Sequence, residues 1–491
     1  MQYRSTRGKG EEISGPKAIL QGIAKDGGLY VPVSMDKPFD YKELLGKKTT
    51  EMAEKVFAYY FDEFTDIAGI VSRAYTGKFD TEELTPLKKV GDRCVLELFH
   101  GPTSAFKDVA LSALPQFMTE AKKLENMEEE ILILTATSGD TGKAALEGFR
   151  DVPGIRITVF FPYGGVSPVQ EKQMTTQEGE NVCSVAVRGN FDDTQTGVKR
   201  IFTRVSSEGL PEGAKKTVLS SANSINIGRL VPQIVYYMKA YSDLVTEGVI
   251  KDGEKVDFTV PTGNFGDILA GYLAKRMGLP VGRLICASNA NNVLTDFIET
   301  GKYDKNRPFI KTFSPSMDIL VSSNLERLLY FLSGEDTSSV EAMMAALSES
   351  GVYEITDGML EKLREDFSAG YADDEETLCT IREVFEKEHY LLDTHTAVAW
   401  RVADRYMKET QTGRPNVILS TASPYKFPKA VLTALKEEGP EDEFDIMDRL
   451  FTLTGVPVPK NLSTLREKEV RFREVVDREA MYDFVMGEIN A

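Results

Sequence analysis

Short apolar runs alternate with amphipathic helical segments from about residue 91 onward, and this alternation restricts the fold more than any other feature of the chain. It predicts strands at 93–99, 131–137, 155–162, 181–189, 256–263, 283–289 and 416–423. It predicts helices at 109–124, 142–151, 192–209, 266–278 and 428–439. Strands that alternate with helices pair mainly in parallel, with helices covering the sheet. The predicted fold class is therefore α/β.

Two stretches depart from this pattern. Residues 1–90 are predicted to form an additional N-terminal region that is mixed and mostly helical, with a tight turn at 26–32. Residues 323–390 are rich in Leu, Glu, Ser and Met, and are predicted as a helical insertion with at most one short strand. The main α/β region is expected to span 91–491.

Composition excludes several classes of protein. The formal net charge of −18 makes binding to nucleic acid or to an anionic membrane surface unfavourable. Four scattered cysteines and three histidines, without a CxxC pair, argue against a metal site and a disulfide scaffold. No window of about 18 apolar residues predicts a membrane span, and no apolar stretch follows the N-terminal basic residues. We therefore expect a cytoplasmic protein that binds neither nucleic acid nor membrane.

The segment 99–108 places a lysine, Lys107, where a predicted strand leads into a predicted helix. The positive end of a helix disfavours an ammonium group, and so does burial. Both effects favour the neutral, nucleophilic amine that Schiff-base lysines need. A single lysine at such a position is most often an ordinary surface residue, so this motif is not specific by itself.

Two glycine-rich loops also join a strand to a helix. In 135–143, backbone amides can hold a carboxylate or a phosphate, but Lys143 is followed by Ala144, so the loop is not a nucleotide-binding P-loop. In 261–267, two glycines three residues apart let the backbone approach a phosphate, and the absence of GxGxxG favours a cofactor with one phosphate. Helix capping and a simple tight turn are the respective alternatives.

Two further segments concentrate polar groups. The hydroxyl-rich segment 420–428 follows a predicted strand, where a hydroxyl could meet a ring nitrogen, although a capping turn explains it equally well. The segment 221–229 combines amide, hydroxyl and guanidinium groups that suit a phosphate monoester or a carboxylate. Its alternative is a capped helix with Arg229 exposed.

Together these segments resemble the threonine synthase family of fold type II pyridoxal 5′-phosphate enzymes. The matching stretches cover nearly the whole chain and follow one another in the family's order: 3–8, 26–32, 99–108, 135–145, 160–174, 221–237, 260–281, 393–399 and 420–428. The resemblance implies a tryptophan synthase β-like architecture of two α/β lobes around a cofactor. One position departs from it, because Ser423 stands where many members have His.

The resemblance also implies roles for individual residues. Lys107 resembles the catalytic lysine that binds the cofactor covalently. The residues that resemble the family's cofactor-phosphate loop are Gly263, Asn264, Phe265, Gly266 and Asp267. Thr421 resembles the residue whose hydroxyl lies beside the pyridine nitrogen. The residues that resemble the family's loop for the substrate carboxylate are Ser138, Gly139, Asp140 and Thr141. Those that resemble its segment for the substrate phosphate are Ser224, Asn226 and Arg229.

The activity that the resemblance implies is conversion of O-phospho-L-homoserine and water to L-threonine and phosphate. It proceeds by γ-elimination and β-hydration, as a carbon–oxygen lyase acting on phosphate. A serine or threonine dehydratase is the alternative enzyme, because it shares the lysine and the glycine loop. A non-catalytic relative is the alternative outside enzymes, although it would often lack the lysine. We expect no activation by S-adenosylmethionine, because no extended N-terminal region is visible, and either a monomer or a homodimer.

Overall fold

The computed structural model describes residues 1–210, 214 and 216–490. Its strands are β1 (Gln2–Ser5), β2 (Ile13–Ser14), β3 (Tyr30–Pro32), β4 (Leu87–Val90), β5 (Arg93–Glu97), β6 (Glu130–Ala136), β7 (Ile155–Pro162), β8 (Val182–Arg188), β9 (Thr217–Ser220), β10 (Val256–Pro261), β11 (Val281–Ser288), β12 (Lys302–Asp304), β13 (Val352–Glu354), β14 (Phe367–Tyr371), β15 (Asn416–Ser420) and β16 (Val475–Asp477).

The α-helices in the same part of the chain are α1 (Gly15–Gln21), α2 (Thr49–Tyr60), α3 (Ile67–Tyr75), α4 (Lys107–Leu124), α5 (Asp140–Phe149), α6 (Pro168–Thr175), α7 (Phe191–Glu208), α8 (Ile227–Leu230), α9 (Ile234–Thr246), α10 (Gly266–Arg276), α11 (Val293–Thr300), α12 (Leu325–Leu332), α13 (Thr337–Glu349), α14 (Asp357–Asp366), α15 (Asp374–Glu388), α16 (Thr394–Thr410), α17 (Pro428–Ala434), α18 (Glu443–Thr454), α19 (Lys460–Ser463) and α20 (Met481–Asn490). None of these helices is long and apolar enough to cross a membrane.

Two largely parallel sheets organise the α/β region. One has six strands in the order β14-β11-β10-β15-β5-β4, in which only the edge pair β4–β5 is antiparallel. The other has five strands in the order β16-β8-β7-β6-β9, all parallel. Parallel strands covered on both faces become nearly continuous apolar runs. This explains why β6, β7, β10 and β15, which are almost wholly buried, were predicted from the sequence.

Several strands were not predicted, including β9 and β16, and the stretch 323–390 holds two strands, β13 and β14, where at most one was expected. The edge strand β14 lies inside the predicted helical insertion 323–390 and pairs in parallel with β11. Its sequence, FSAGY, is short and mostly half-exposed, so it lacks the apolar run by which the other strands were recognised. The strand β4 lies before the predicted limit at residue 91 and pairs with β5. Both edge strands of the six-stranded sheet therefore come from regions predicted to lie outside the sheet, 1–90 and 323–390. The division into domains stays a prediction.

The N-terminal region packs against the helix that begins with Lys107. Three phenylalanines join them: the ring centroid of Phe117 in α4 lies 5.0 Å from that of Phe57 and 4.9 Å from that of Phe61. The hydroxyl of Tyr75 in α3 also donates to the carbonyl of Val109 at 2.9 Å. These contacts fix the first turns of α4, and with them the position of Lys107.

Candidate active site

A cavity of about 630 Å³ opens where the loops after β6 and β10 meet the start of α4. It brings together residues that were predicted from separate segments of the sequence. Those that line it are Lys107, Ser138, Asp140, Thr141, Ser224 and Asn264.

The segment before Lys107 is attached to the end of β15. The amide of Phe106 donates to the carbonyl of Thr421 at 2.8 Å, and the amide of Ser423 donates to that of Ser104 at 3.1 Å. Ser104 has φ of 59°, a left-handed conformation that is uncommon outside glycine and turns the chain into α4. Thr421 and Lys107 are predicted to contact different parts of one cofactor. A backbone hydrogen bond thus joins Thr421 to Phe106, the residue that precedes Lys107.

The buried carboxylate of Asp108 binds the turn that precedes Lys107. Asp108 accepts hydrogen bonds from the amide of Thr103 at 2.8 Å and from its hydroxyl at 2.5 Å. Burial raises the pKa of Asp108 to about 6, although the hydrogen bonds from Thr103 act in the opposite direction. These hydrogen bonds fix the conformation of the turn before Lys107.

The environment of Lys107 favours its neutral form. Burial lowers the pKa of Lys107, and the nearby cations of Lys426 and Arg229 lower it further, while Asp140 raises it. The Nζ atom of Lys107 lies 4.0 Å from Oδ2 of Asp140, at the outer limit of an ion pair. A lysine in this state can act as a nucleophile and as a general base.

The carboxylate of Asp140 is held by groups on both sides. Its Oδ1 accepts from Nζ of Lys426 at 2.7 Å and from Nε2 of Gln170 at 3.1 Å. Burial alone would raise the pKa of Asp140, but Lys426 followed by Lys107 lowers it well below its usual range. Gly139, at φ of 146°, allows the loop to pass Gln170, since a Cβ there would lie 2.4 Å from Nε2. Asp140 is therefore an ionised carboxylate fixed at the start of α5.

The loop 263–267 has the features of a phosphate cradle. Phe265 has φ of 65° and directs the chain into the N-terminus of α10. In the described part of the chain, no protein group accepts from the amides of Asn264, Phe265 and Gly266. Free amides at a helix N-terminus bind phosphate. Gly263 approaches a neighbouring loop so closely that a Cβ would lie 2.6 Å from the carbonyl oxygen of Ser316.

Asp267 closes this loop with a buried carboxyl group. Its Oδ1 accepts from the amide of Ile268 at 2.8 Å. Burial raises the pKa of Asp267 to about 7, with Lys107 among the groups that oppose this. Its carboxyl group is therefore only partly ionised near neutral pH.

The segment 221–229 divides into two roles. The side chain of Arg229 is buried, and its Nη1 donates to the carbonyl of Ala222 at 2.6 Å. Among the residues that the structure describes, its Nε has no hydrogen-bond partner. Burial lowers the pKa of Arg229 to about 10. Such a buried guanidinium with an unused donor suits an anion. The alternative of an exposed Arg229 is thus wrong.

Asn226 was predicted as a substrate ligand, but both polar atoms of its side chain are bound to the protein backbone. It donates to the carbonyl of Ile19 at 2.9 Å and accepts from the amide of Gly228 at 2.9 Å, as the N-cap of α8. Of the three residues predicted for the substrate phosphate, Ser224 lines the cavity, and neither Asn226 nor Arg229 is part of its lining. The geometry therefore favours a structural role for Asn226.

The residues of the site that were not predicted include Lys426, Ser316 and His395, in addition to Gln170. The amide of Ser316 donates to Nε2 of His395 at 3.1 Å, which assigns the ring proton to Nδ1, 3.0 Å from Asp393. The hydroxyl of Ser316 lies 3.3 Å from Oδ2 of Asp140. His395 and Lys426 stand in segments that carried the resemblance, 393–399 and 420–428, but only their contacts reveal what they do.

Comparison with family models defines the class of protein. The model "Pyridoxal-phosphate dependent enzyme" matches residues 80–423, "Threonine synthase N terminus" matches 2–75, and "Threonine synthase, C-terminal" matches 396–485. The two parallel sheets, the buried lysine and the phosphate cradle agree with the first of these. This is a fold type II pyridoxal-phosphate-dependent enzyme, and pyridoxal 5′-phosphate is its cofactor.

Individual proteins narrow the class. Threonine synthase of Saccharomyces cerevisiae is 36% identical, with 99% of this chain and 98% of that protein covered. The crystal structure of PLP-bound threonine synthase from Brucella melitensis is 38% identical and superposes with a TM-score of 0.87 over 100% of both chains. The human protein "Threonine synthase-like 1" is 41% identical over 86% of this chain, which spans 58% of its length. The chain belongs to the threonine synthase family, as the sequence predicted.

Proposed function

We propose that this chain converts O-phospho-L-homoserine and water to L-threonine and phosphate, the last step of threonine biosynthesis. The observation that carries the proposal is the presence of two separate anion-binding features beside Lys107. One is the free amides at the start of α10, and the other is the unused Nε of buried Arg229. A phosphorylated cofactor and a phosphorylated substrate together need two such features. The names of the similar proteins support the same activity.

The residues of the site divide the work as follows. The amides of 264–266 would hold the cofactor phosphate, and the hydroxyl of Thr421 would bind the pyridine nitrogen. When bound, pyridoxal phosphate supplies an electron sink that stabilises negative charge at the substrate Cα. Lys107 Nζ takes the Cα proton and then assists proton removal at Cβ, as general base.

The loop 138–141 binds the substrate carboxylate through its backbone. A carboxylate side chain in this loop would repel the substrate if its charge were free. Asp140, however, is paired with Lys426 at 2.7 Å, so its negative charge is neutralised inside the protein. The start of α5 then presents backbone amides, and Ser138 and Thr141 present hydroxyls, to the substrate carboxylate. Ser224 and Arg229 hold the leaving phosphate.

The test is product analysis with purified protein, pyridoxal phosphate and O-phospho-L-homoserine. Inorganic phosphate and threonine are measured together, and equal amounts support the proposal. Phosphate with 2-oxobutyrate in place of threonine contradicts it and indicates elimination without hydration. Formation of 2-oxobutyrate or pyruvate from L-threonine or L-serine, without reaction of the phosphorylated substrate, indicates a dehydratase. No product in any of these incubations indicates a non-catalytic relative.

A cytoplasmic location and a monomeric or homodimeric state also belong to the proposal. The cavity is lined within a single chain, so neither state is required for it to form. Sedimentation velocity of the cofactor-loaded protein distinguishes the two states.

A further inference from the structure

Lys426 is fully buried, yet it forms no part of the cavity lining. Its Nζ donates to Oδ1 of Asp140 at 2.7 Å and to the carbonyl of Thr103 at 3.1 Å. A buried ammonium is costly unless a carboxylate and further acceptors compensate for the loss of water. Both acceptors belong to the segments that build the site: Asp140 starts α5, and Thr103 lies in the turn before Lys107.

Asp140 consequently lies between two lysines, of which only Lys426 is within hydrogen-bonding distance of its carboxylate. Lys426 holds Oδ1 at hydrogen-bonding distance, whereas Lys107 is 4.0 Å from Oδ2, which Ser316 also approaches at 3.3 Å. Without the first lysine, the buried carboxylate would interact more strongly with the second, which after Lys426 is the group that lowers the pKa of Asp140 most, ahead of His395. An amine held as an ammonium in such a pair has no free electron pair for the cofactor aldehyde.

We propose that Lys426 is a positioning residue that neutralises Asp140 and so keeps Lys107 available as a free amine. The proposal rests on Lys107 as the cofactor-binding lysine and does not depend on the identity of the substrate. The assay below contains no substrate, so its failure is distinguishable from failure of the proposed function.

The sign of the effect follows from the groups that face Lys107. These are Asp140 and Asp267, which raise its pKa, and Lys426 and Arg229, which lower it. Replacing Lys426 by a neutral residue removes one cation and leaves the charge of Asp140 uncompensated. Both changes raise the pKa of Lys107. Replacing Asp140 by Asn removes the anion instead and lowers it.

The experiment measures the rate at which the full-length, cofactor-free chain captures pyridoxal phosphate, followed by absorbance from pH 6 to 10. Capture requires the neutral amine, so the midpoint of the rate profile reports on Lys107. For Lys426→Met we expect a midpoint higher by about one pH unit, and capture about tenfold slower near neutral pH. Lys426→Arg retains the charge and is expected to keep the wild-type midpoint.

A purely structural role of Lys426 would lower the amount of protein that captures the cofactor without moving the midpoint. A Lys426→Met protein that folds and keeps the wild-type midpoint therefore overturns the proposal. Should Lys426→Met fail to fold, the single variant Asp140→Asn and the double variant Asp140→Asn/Lys426→Met carry the test. We expect a midpoint below wild type in the first and close to wild type in the second, and a raised midpoint in Asp140→Asn overturns the proposal.

Discussion

Replacement of Gly263 by alanine tests whether the cofactor-phosphate loop is shaped by its contact with the loop around Ser316. An added Cβ at Gly263 would lie 2.6 Å from the carbonyl oxygen of Ser316, about 0.8 Å closer than the 3.4 Å at which ordinary contact begins. Gly263 does not have positive φ, so alanine brings no backbone strain of its own. The whole effect is therefore steric.

Neither loop can yield without losing other contacts. The carbonyl of Gly263 accepts from the hydroxyl of Ser322 at 2.7 Å, and that of Asn264 accepts from the amide of Asn324 at 3.0 Å. On the opposite side, Ser316 is held by His395 at 3.1 Å. Each bond contributes about 1 kcal/mol, and overpacking of this size typically costs about 1–3 kcal/mol. We therefore expect Gly263→Ala to lower the free energy of unfolding of the cofactor-free chain by about 2 kcal/mol.

If the loop instead relieves the contact by moving, the same energy appears as weaker cofactor binding, by about 30-fold. Denaturant unfolding and a titration with pyridoxal phosphate measure the two quantities. Gly266→Ala is the matched stability control in the same loop, because its added Cβ would make only ordinary contacts of 3.5–3.9 Å, with side-chain atoms of Asn324, Gln233 and Ser224. Wild-type values of both quantities in Gly263→Ala would refute the reasoning.

Three further replacements test other parts of the site. Lys107→Ala should abolish threonine formation and the absorbance of the lysine-bound cofactor, whereas Lys123→Ala, exposed on the same helix, should change neither; turnover in the first variant excludes Lys107 as the base. Arg229→Ala should raise KM for the phosphorylated substrate more than it weakens cofactor binding, and a KM equal to that of the wild type would remove Arg229 from the phosphate site. Asn226→Ala should mainly lower the free energy of unfolding, by about 1 kcal/mol, because a helix cap is lost. Asp267 has a pKa of about 7 in the folded chain and about 4 when unfolded, so its contribution to stability is lost as pH rises between these values. The gain in unfolding free energy from Asp267→Asn, measured in the cofactor-free chain, should thus be larger at pH 8 than at pH 4.5, and an equal gain at both contradicts the raised pKa.

The parts of the fold that the sequence predicted are those with a local signal. The strand predicted at 155–162 has the same limits in the structure, because β7 is an apolar run buried on both faces. Glycine and hydroxyl residues at the end of a strand likewise predicted the loops after β6 and β10. The edge strand β14 gave no such signal, because its three central residues, Ser, Ala and Gly, are small and half-buried, and it is recognised only by its pairing with β11.

The contacts that set the chemistry of Lys107 had no local signal. Lys426 stands between aromatic and proline residues, and nothing in that segment indicates that its ammonium reaches Asp140, which lies on a different strand-to-helix loop. The pairing of Ser316 with His395 likewise joins two segments that are far apart in the sequence, by 79 residues. Resemblance to a family drew attention to the segments around His395 and Lys426, but a spatial pairing is needed to assign a function to them.

The charge of the whole chain is also a poor guide to the charge of its site. The chain carries a net charge of −18, yet the groups that influence Lys107 include the cations of Lys426 and Arg229. Against them stand Asp140, which is neutralised by Lys426, and Asp267, whose pKa of about 7 leaves it partly protonated. Buried positive charge is therefore not fully balanced by the protein itself. The cofactor and the proposed substrate both carry a phosphate and would supply negative charge to these cations. The local cations of Lys426 and Arg229 therefore favour anion binding in an otherwise acidic chain, and they also lower the pKa of Lys107.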